Sequence, residues 1–599
     1  MADYDHYGSS EEHAEIKKLE AEVEADPDNF ETWEKLIRAC EGLEGGLNRN
    51  SSPQALAALR NAFDGFLLKF PLLFGYWKKY ADLEFNIAGP ESAELHAARP
   101  LKPLLMNLQA WSVTIGPIIA SRLFERGATH VGLDFLAHPF WDKYIEYEER
   151  QEAEDRVLAI LRRIVTLPLH QYSRYYEKFR QLSHNRPVSE LVDDDVLTAY
   201  RAEVEAPYAG TQRPELETER DIRGKIDARY YELFTQTQNE VSRRWTYESE
   251  IKRPYFHIDE LDYQQLANWN KYLDFEEAEG DHARTIFLYE RCLVTCALYD
   301  EFWFRYARWM SAKPDKEEEV RIIYQRATTM HVPISRPGIR LQFAYFEESC
   351  GRIDVARDIH ASILIKLPDC IEAITSWAHL QRRNSGLDAA IEVFKNQIDS
   401  PHVDIFTKAA MVTEWAFLLW KVKGTDEEAR NVFLKNVDWY ADSRIFWDKW
   451  LEFELQQPTS AETEALHGER VKQIFDSLRS KSRLSQASKK QLSQLYLEYL
   501  LQRGGKDAMK QFLLIDREVF GPSSISKLSP PNAKENGAGS ADLDAATNAK
   551  AEVRFFNYYQ LHGELDVERQ GMSLSTEGAG NQRWAEQLCS HTWRPIASV

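Results

Sequence analysis

The chain has 599 residues, and 74 Lys and Arg stand against 95 Asp and Glu, for a formal net charge of −21. That balance excludes a protein whose main surface grips nucleic-acid phosphates, because Lys and Arg supply most of that affinity, although a local basic patch is compatible with it. Hydrophobic residues at 43% and aromatics at 12% exclude a disordered chain.

In chain order, residues 1–24 read as a disordered acidic start with neither the basic nor the apolar region of a targeting signal. An amino-terminal repeat domain spans 25–205, and Phe30, Trp33 and Leu36 open its first weak unit. Trp77, Tyr80, Leu83 and Glu84 then recur at spacings that fall on one helical stripe. Residues 95–121 break the pattern, with Pro100, Pro103 and Pro117 where helices should run, so the segment is either an irregular crossing or not native coding sequence. The most apolar stretch, 104–120, is interrupted by Asn107, Gln109, Ser112, Thr114 and Gly116-Pro117, and no membrane span is expected there. Trp141, Tyr144, Tyr147 and Glu148 restore the lettering, and Tyr172, Tyr175 and Phe179 open another unit. Residues 206–255 read as a linker with one long charged helix, 215–251, a hinge or spacer whose polar faces are solvated.

A carboxy-terminal repeat domain follows over 256–520. Trp269, Tyr272, Phe275 and Glu276 lie on one stripe, Gly280 ends that helix, and Ala283-Arg284 begins the next. Trp303 with Tyr306, Phe343 and Phe346 with Glu347, Trp377, Trp415, and Trp447 with Trp450 and Glu454 repeat it. The register 269, 303, 340, 377, 415, 447 steps by 34, 37, 37, 38 and 32, the length of one helix–turn–helix unit. The fold class is therefore all-α, a solenoid of helical hairpins in two arrays whose rings are buried between units. Glutamate seven positions after the Trp lies only about 20° from it around the helix, on or beside the packed face. A buried carboxylate needs a partner, and a second-helix arginine is expected, Arg284 or Arg291 for Glu276.

No residues carry an enzyme reading. A phosphate cradle, His-Glu-x-x-His and Gly-x-Ser-x-Gly are all missing, and no cofactor or metal is expected. Cys292 and Cys296 read as core residues, since six scattered cysteines make neither a disulfide framework nor a zinc set. Arg479, Lys481, Arg483, Lys489 and Lys490 form a candidate basic patch, but without interleaved aromatics a solvated loop is the preferred reading. Residues 521–549 read as a flexible linker and 571–599 as an uninformative tail. Between them, 550–570 reads as a docking helix, with Phe555, Phe556, Tyr558 and Tyr559 serving either as a cap on the array or as a dimer contact.

The unit, with Trp-x-x-Tyr-x-x-Phe-Glu on one helix and Ala-Arg and Tyr-Glu-Arg on the next, resembles the HAT (half-a-TPR) repeat of RNA-processing proteins over most of residues 27–520. Within that class, residues 132–149 and 554–563 look like the pre-mRNA-processing factor 39 family of U1 snRNP-associated splicing factors. The resemblance implies a nuclear, non-enzymatic scaffold with U1 snRNP proteins as partners. It also implies a homodimer, or a heterodimer with a paralogous HAT protein, through the carboxy-terminal half, and RNA contact that is indirect or weak. The alternatives are a HAT scaffold of pre-mRNA 3′-end cleavage or ribosomal-RNA processing, a prenyltransferase α-type subunit, or a peptide-binding co-chaperone.

Overall fold

The computed structural model describes residues 11–89, 117–208, 214–460 and 462–521. Among these every regular element is helical and there is no strand. The chain divides into two compact units, one ending at Ile339 and one starting at Arg340, and each is an α-α solenoid in which consecutive helices pack as antiparallel hairpins.

The first unit opens with α1 (Glu11–Ala25), α2 (Phe30–Gly42), α3 (Pro53–Lys69) and α4 (Phe74–Ala88). It continues through α5 (Pro117–Val131), α6 (His138–Arg150), α7 (Glu154–Ile164), α8 (Tyr172–His184), the short α9 (Val188–Leu191) and α10 (Asp194–Glu205). It is completed by α11 (Glu215–Glu248), α12 (Tyr263–Glu279), α13 (His282–Thr295), α14 (Asp300–Ser311) and α15 (Glu317–Arg326). The second unit holds most of α16 (Gly338–Ser349), then α17 (Ile353–Lys366), α18 (Ile371–Ser385), α19 (Leu387–Asp399) and α20 (Ile405–Leu418). It closes with α21 (Asp426–Tyr440), α22 (Arg444–Leu455), α23 (Glu464–Lys481), α24 (Gln486–Arg503) and α25 (Ala508–Phe520).

Helix starts and stops follow local chemistry. Asp281 caps α13 by accepting the N–H groups of Ala283 and Arg284, and Asp404 caps α20 through Phe406 and Thr407. Gly280, at φ 81°, ends α12 in the left-handed conformation that a residue lacking Cβ adopts without strain. The corresponding turns between α6 and α7 and between α14 and α15 place the left-handed step on Glu152 (φ 54°) and Asp315 (φ 55°), so no glycine marks them in the sequence.

Two expectations change. Residues 11–24, read as part of a disordered start, form α1 together with Ala25, because Ile16, Leu19 and Val23 are buried in the cluster of α2 and α3. The long charged helix is no solvated spacer. Thr218, Ile222, Ile226, Tyr230, Thr237, Val241, Arg244 and Glu248 line one buried face along all of α11. Its first half joins the core of α5–α10 and its last turns pack on α12, so α11 belongs to the stack of the first unit. The same unit also folds back on itself, since Phe256 and Ala297 complete the cluster built by α1–α4.

Candidate functional site

The recurring joint between hairpins is the chemical feature of this molecule, and in the first unit it is built from a Tyr, a ring and an acid of the preceding helix, joined in three of its four copies by an arginine and the Trp. The Tyr three residues after each Trp stacks on a ring of the preceding helix. Phe63 lies 4.8 Å from Tyr80, Phe124 4.8 Å from Tyr144, Tyr247 5.1 Å from Tyr272 and Tyr289 4.6 Å from Tyr306. The acid that follows each preceding-helix ring then accepts that Tyr hydroxyl: Asp64 at 3.4 Å, Glu125 at 2.8 Å, Glu248 at 2.9 Å and Glu290 at 3.4 Å. From the opposite side an arginine of the following helix reaches the same acid, Arg163 to Glu125 at 3.2 Å, Arg291 to Glu248 at 2.8 Å and Arg326 to Glu290 at 2.7 Å. Each of these guanidiniums also lies over the Trp of the joint, 5.5 Å from Trp141, 5.8 Å from Trp269 and 5.4 Å from Trp303.

Tyr289-Glu290-Arg291 is thereby explained residue by residue. Tyr289 and Glu290 serve the next hairpin, while Arg291 serves the previous one. Burial first, and then the neighbouring carboxylates, raise the Tyr272 and Tyr306 hydroxyls above the ordinary phenol range, so these groups remain donors at any physiological pH. Four indole N–H groups donate to a carbonyl six residues upstream, Trp33 to Pro27 (3.0 Å), Trp77 to Pro71 (3.0 Å), Trp303 to Ala297 (2.9 Å) and Trp447 to Ala441 (2.7 Å), and that of Trp141 donates to the Gly132 carbonyl at 3.2 Å.

The carboxylates seven positions after the Trp register, Glu84, Glu148, Glu276, Glu347 and Glu454, are at most 1% exposed. Glu84 accepts both arms of Arg60 at 2.8 and 3.0 Å, and Glu454 both arms of Arg430 at 3.0 Å. Glu148 is held by Ser121 at 2.9 Å and Arg156 at 3.3 Å, and Glu347 by Arg352 at 3.4 Å. For Glu276 the expected Arg284 lies within ion-pair reach, but a closer arginine that the sequence did not indicate makes the main contact. Arg244 of the preceding helix forms the paired bonds, at 2.7 and 3.0 Å, whereas Arg284 stands off at 3.9 Å and Arg291 is engaged by Glu248. The reason is geometric, since the face carrying Glu276 is turned to α11 rather than only to its own hairpin partner. Burial opposes the Arg244 charge, yet its bonds to Glu276 and Glu240 raise its pKa, while burial and the nearby Arg244 lower that of Arg284.

Trp141, Trp269, Trp303, Trp447 and Trp450 are buried, as are Tyr80, Tyr144, Tyr272 and Tyr306. Trp77, Trp377, Trp415, Phe275 and Arg284 are half-buried. Lys395 covers the Trp415 ring at 5.3 Å, and Arg243 and Arg244 cover Phe275 at 4.8 and 5.2 Å.

His331 ends the π turn that follows α15 and stacks on Trp303, with ring centroids 5.3 Å apart. Burial, and then Arg326, lower its pKa from 6.5 to about 4. The unfolded chain therefore takes up a proton that the folded chain refuses, and this contribution to stability is lost as pH falls from 6.5 towards 4. We expect His331→Gln to give a shallower fall of the urea midpoint over that window than the unaltered chain. Identical slopes would show that His331 titrates freely.

The basic stretch is partly paired, with carboxylates meeting two of its five cations. Arg479 pairs with Glu518 at 2.7 Å and Lys481 with Asp438 at 2.7 Å, while the backbone N–H of Arg483 donates to Asp442 at 3.0 Å and the Lys489 ammonium to the Ser482 carbonyl at 2.9 Å. Arg483 and Lys490 are exposed and bring two further charges without an ion-pair partner among the described residues. Phe555, Phe556, Tyr558 and Tyr559 lie outside the described residues. Cys292 and Cys296 are buried free thiols, and burial raises that of Cys292. Among the described residues no group of His, Cys, Asp and Glu is arranged to hold a metal ion, and no helix is long and apolar enough to cross a membrane.

Comparisons with known proteins place the chain in a family. Residues 17–181 match the family profile described as PRP39 N-terminal HAT repeat, and residues 242–383 the one described as PRP39 C-terminal HAT repeat. Pre-mRNA-processing factor 39 of Schizosaccharomyces pombe is 44% identical across 94% of this chain and 98% of its own length. The U1 small nuclear ribonucleoprotein component PRP42 of Saccharomyces cerevisiae is 25% identical over 47% of this chain and 55% of its own. Among solved structures, the crystal structure of CSTF-77 superposes with a TM-score of 0.51 over 78% of this chain and 92% of that one, at 13% identity, a likeness of fold. With two PRP39 profiles in their proper order and an end-to-end relative at 44% identity, the chain belongs to the pre-mRNA-processing factor 39 family of HAT-repeat splicing factors.

Proposed function

We propose that this protein is a non-enzymatic scaffold of nuclear pre-mRNA splicing. It associates with U1 snRNP proteins and promotes 5′ splice-site recognition through protein contacts of its HAT repeats. The observation that carries this reading is the repetition of one joint. Acids and arginines that a catalytic site would need to hold apart are instead spent on each other between hairpins, at Glu248 with Arg291, Glu290 with Arg326 and Glu454 with Arg430. The likeness to a relative named as a U1 component supports the particle, and the net charge of −21, with Arg479 and Lys481 already ion-paired, supports RNA contact that is indirect or weak.

The chain dimerises through its carboxy-terminal half, with a second copy or a paralogous HAT protein, using the aromatic segment that carries Phe555, Phe556, Tyr558 and Tyr559. One purification tests both statements. The tagged chain recovered from nuclear extract is expected to enrich U1 snRNA above all other RNAs, and light scattering of the pure chain to give a dimer that deletion of 551–565 weakens. Enrichment of a different RNA, or a monomer indifferent to the deletion, would overturn the corresponding statement.

A further inference from the structure

Between α7, α10 and α11 the first unit carries a cleft of about 330 Å³, lined by Arg162, Arg163, Arg229, Asp193, Val196 and Leu233 among others. Of its lining only Arg163 also serves a joint, that of Trp141. Its three guanidiniums differ in how far they are committed. Arg162 is bonded to Asp193 at 2.9 Å, and Arg163 is shared between Glu125 at 3.2 Å and the face of Trp141. Arg229 is exposed and has no ion-pair partner among the described residues. Against two carboxylates this leaves an excess of positive charge in a chain whose net charge is −21. A cationic concavity with low-dielectric walls focuses potential and draws in an anionic group even where the distant field opposes it.

The rest of the lining selects among anions. Val196 and Leu233 are half-buried and line the cleft beside the guanidiniums, a surface fit for an aliphatic side chain. Tyr230, the aromatic of the lining, is only 7% exposed and its hydroxyl donates to the Leu191 carbonyl at 2.7 Å, so it offers no face for a nucleobase to stack on. At the small end of the roughly 300–1,000 Å³ range of ligand pockets, the cleft has room for a few side chains.

We infer that this cleft is a docking site for a linear peptide segment of a partner protein in which Asp or Glu alternates with aliphatic residues. A carboxylate would pair with Arg229 and the free edge of Arg163, and an aliphatic side chain would lie on Val196 and Leu233. The inference deepens the scaffold reading by giving one protein contact a place and a chemistry.

The test is fluorescence anisotropy with the full chain and a labelled twelve-residue peptide alternating Glu and Leu. Its counterpart with Lys for Glu and a twelve-nucleotide oligouridylate serve as the other probes. Saturable binding of the Glu peptide alone is expected. It should weaken about tenfold or more with Arg229→Glu, as a charge-assisted bond of about 1.5–3 kcal/mol requires, and weaken with Leu233→Asp. Circular dichroism checks that both variants keep their helices, and Arg229→Lys should retain most of the affinity. Failure of the Glu peptide to bind, indifference to both exchanges, or preferential binding of the RNA that Arg229→Glu abolishes would overturn the inference. The titration uses no U1 particle, so its failure and a failure to recover U1 snRNA are separate results.

Discussion

Exchanging Arg244 for Ala should destabilise the joint between α11 and α12 by about 3–5 kcal/mol, the range for removing one partner of a buried ion pair. The pair is fully enclosed, with the Arg244 and Glu276 side chains 3% and 2% exposed. After the exchange the Glu276 carboxylate keeps only Arg284, whose Nε stands 3.9 Å away. A double exchange, Arg244→Met with Glu276→Leu, should recover most of the loss, because neither charge is then left without its counterpart in the interior. Hydrogen exchange is the measurement of choice, since in a stack held together by neighbour contacts the damage is local. Protection should fall around residues 244–291 and stay unchanged around Trp447 in the second unit. A loss under about 1 kcal/mol would show that water or Arg284 replaces Arg244 in the joint.

Trp303→Ala should cost a similar amount, about 3–5 kcal/mol, for another reason. The indole is fully buried, donates to the Ala297 carbonyl at 2.9 Å, stacks on His331 and lies under the Arg326 guanidinium. Its removal opens a cavity and strips the carbonyl of its donor. Trp303→Phe retains most of the ring and loses the hydrogen bond, so an intermediate cost is expected. Trp439 provides the control. At 76% exposure its exchange for Ala should stay within about 0.5 kcal/mol. Urea unfolding followed by far-ultraviolet circular dichroism separates the three. Equal midpoints for Trp303→Ala and Trp439→Ala would contradict the role given to the buried ring.

What could be read from the sequence was whatever repeats at short range. The helical stripe of Trp269, Tyr272 and Glu276 depends only on 100° per residue, and Gly280 marks its own turn through the φ it adopts. The rings and carboxylates therefore showed which faces are buried before any coordinates did. Partner choice was another matter. Arg60 and Arg430 lie 24 residues before their glutamates and Arg244 lies 32 before its own, because the intervening turns differ in length. The aromatic-acid pairs at 63–64, 124–125, 247–248 and 289–290 were the available signal for the other half of the joint.

The sequence by itself thus determined that this chain is an array of helical hairpins, which faces of them are apolar, and that it carries no enzyme motif. Packing alone decided that Arg244 rather than Arg284 makes the paired bonds to Glu276, that α11 belongs to the stack, and that Asp438 and Glu518 pair with Lys481 and Arg479. It also brought Arg162, Arg163 and Arg229 to one cleft from two helices more than sixty residues apart. The physical reason is that periodicity fixes the direction of a side chain relative to its own helix axis, whereas the identity of the group it meets depends on the rotation and offset of the neighbouring helix.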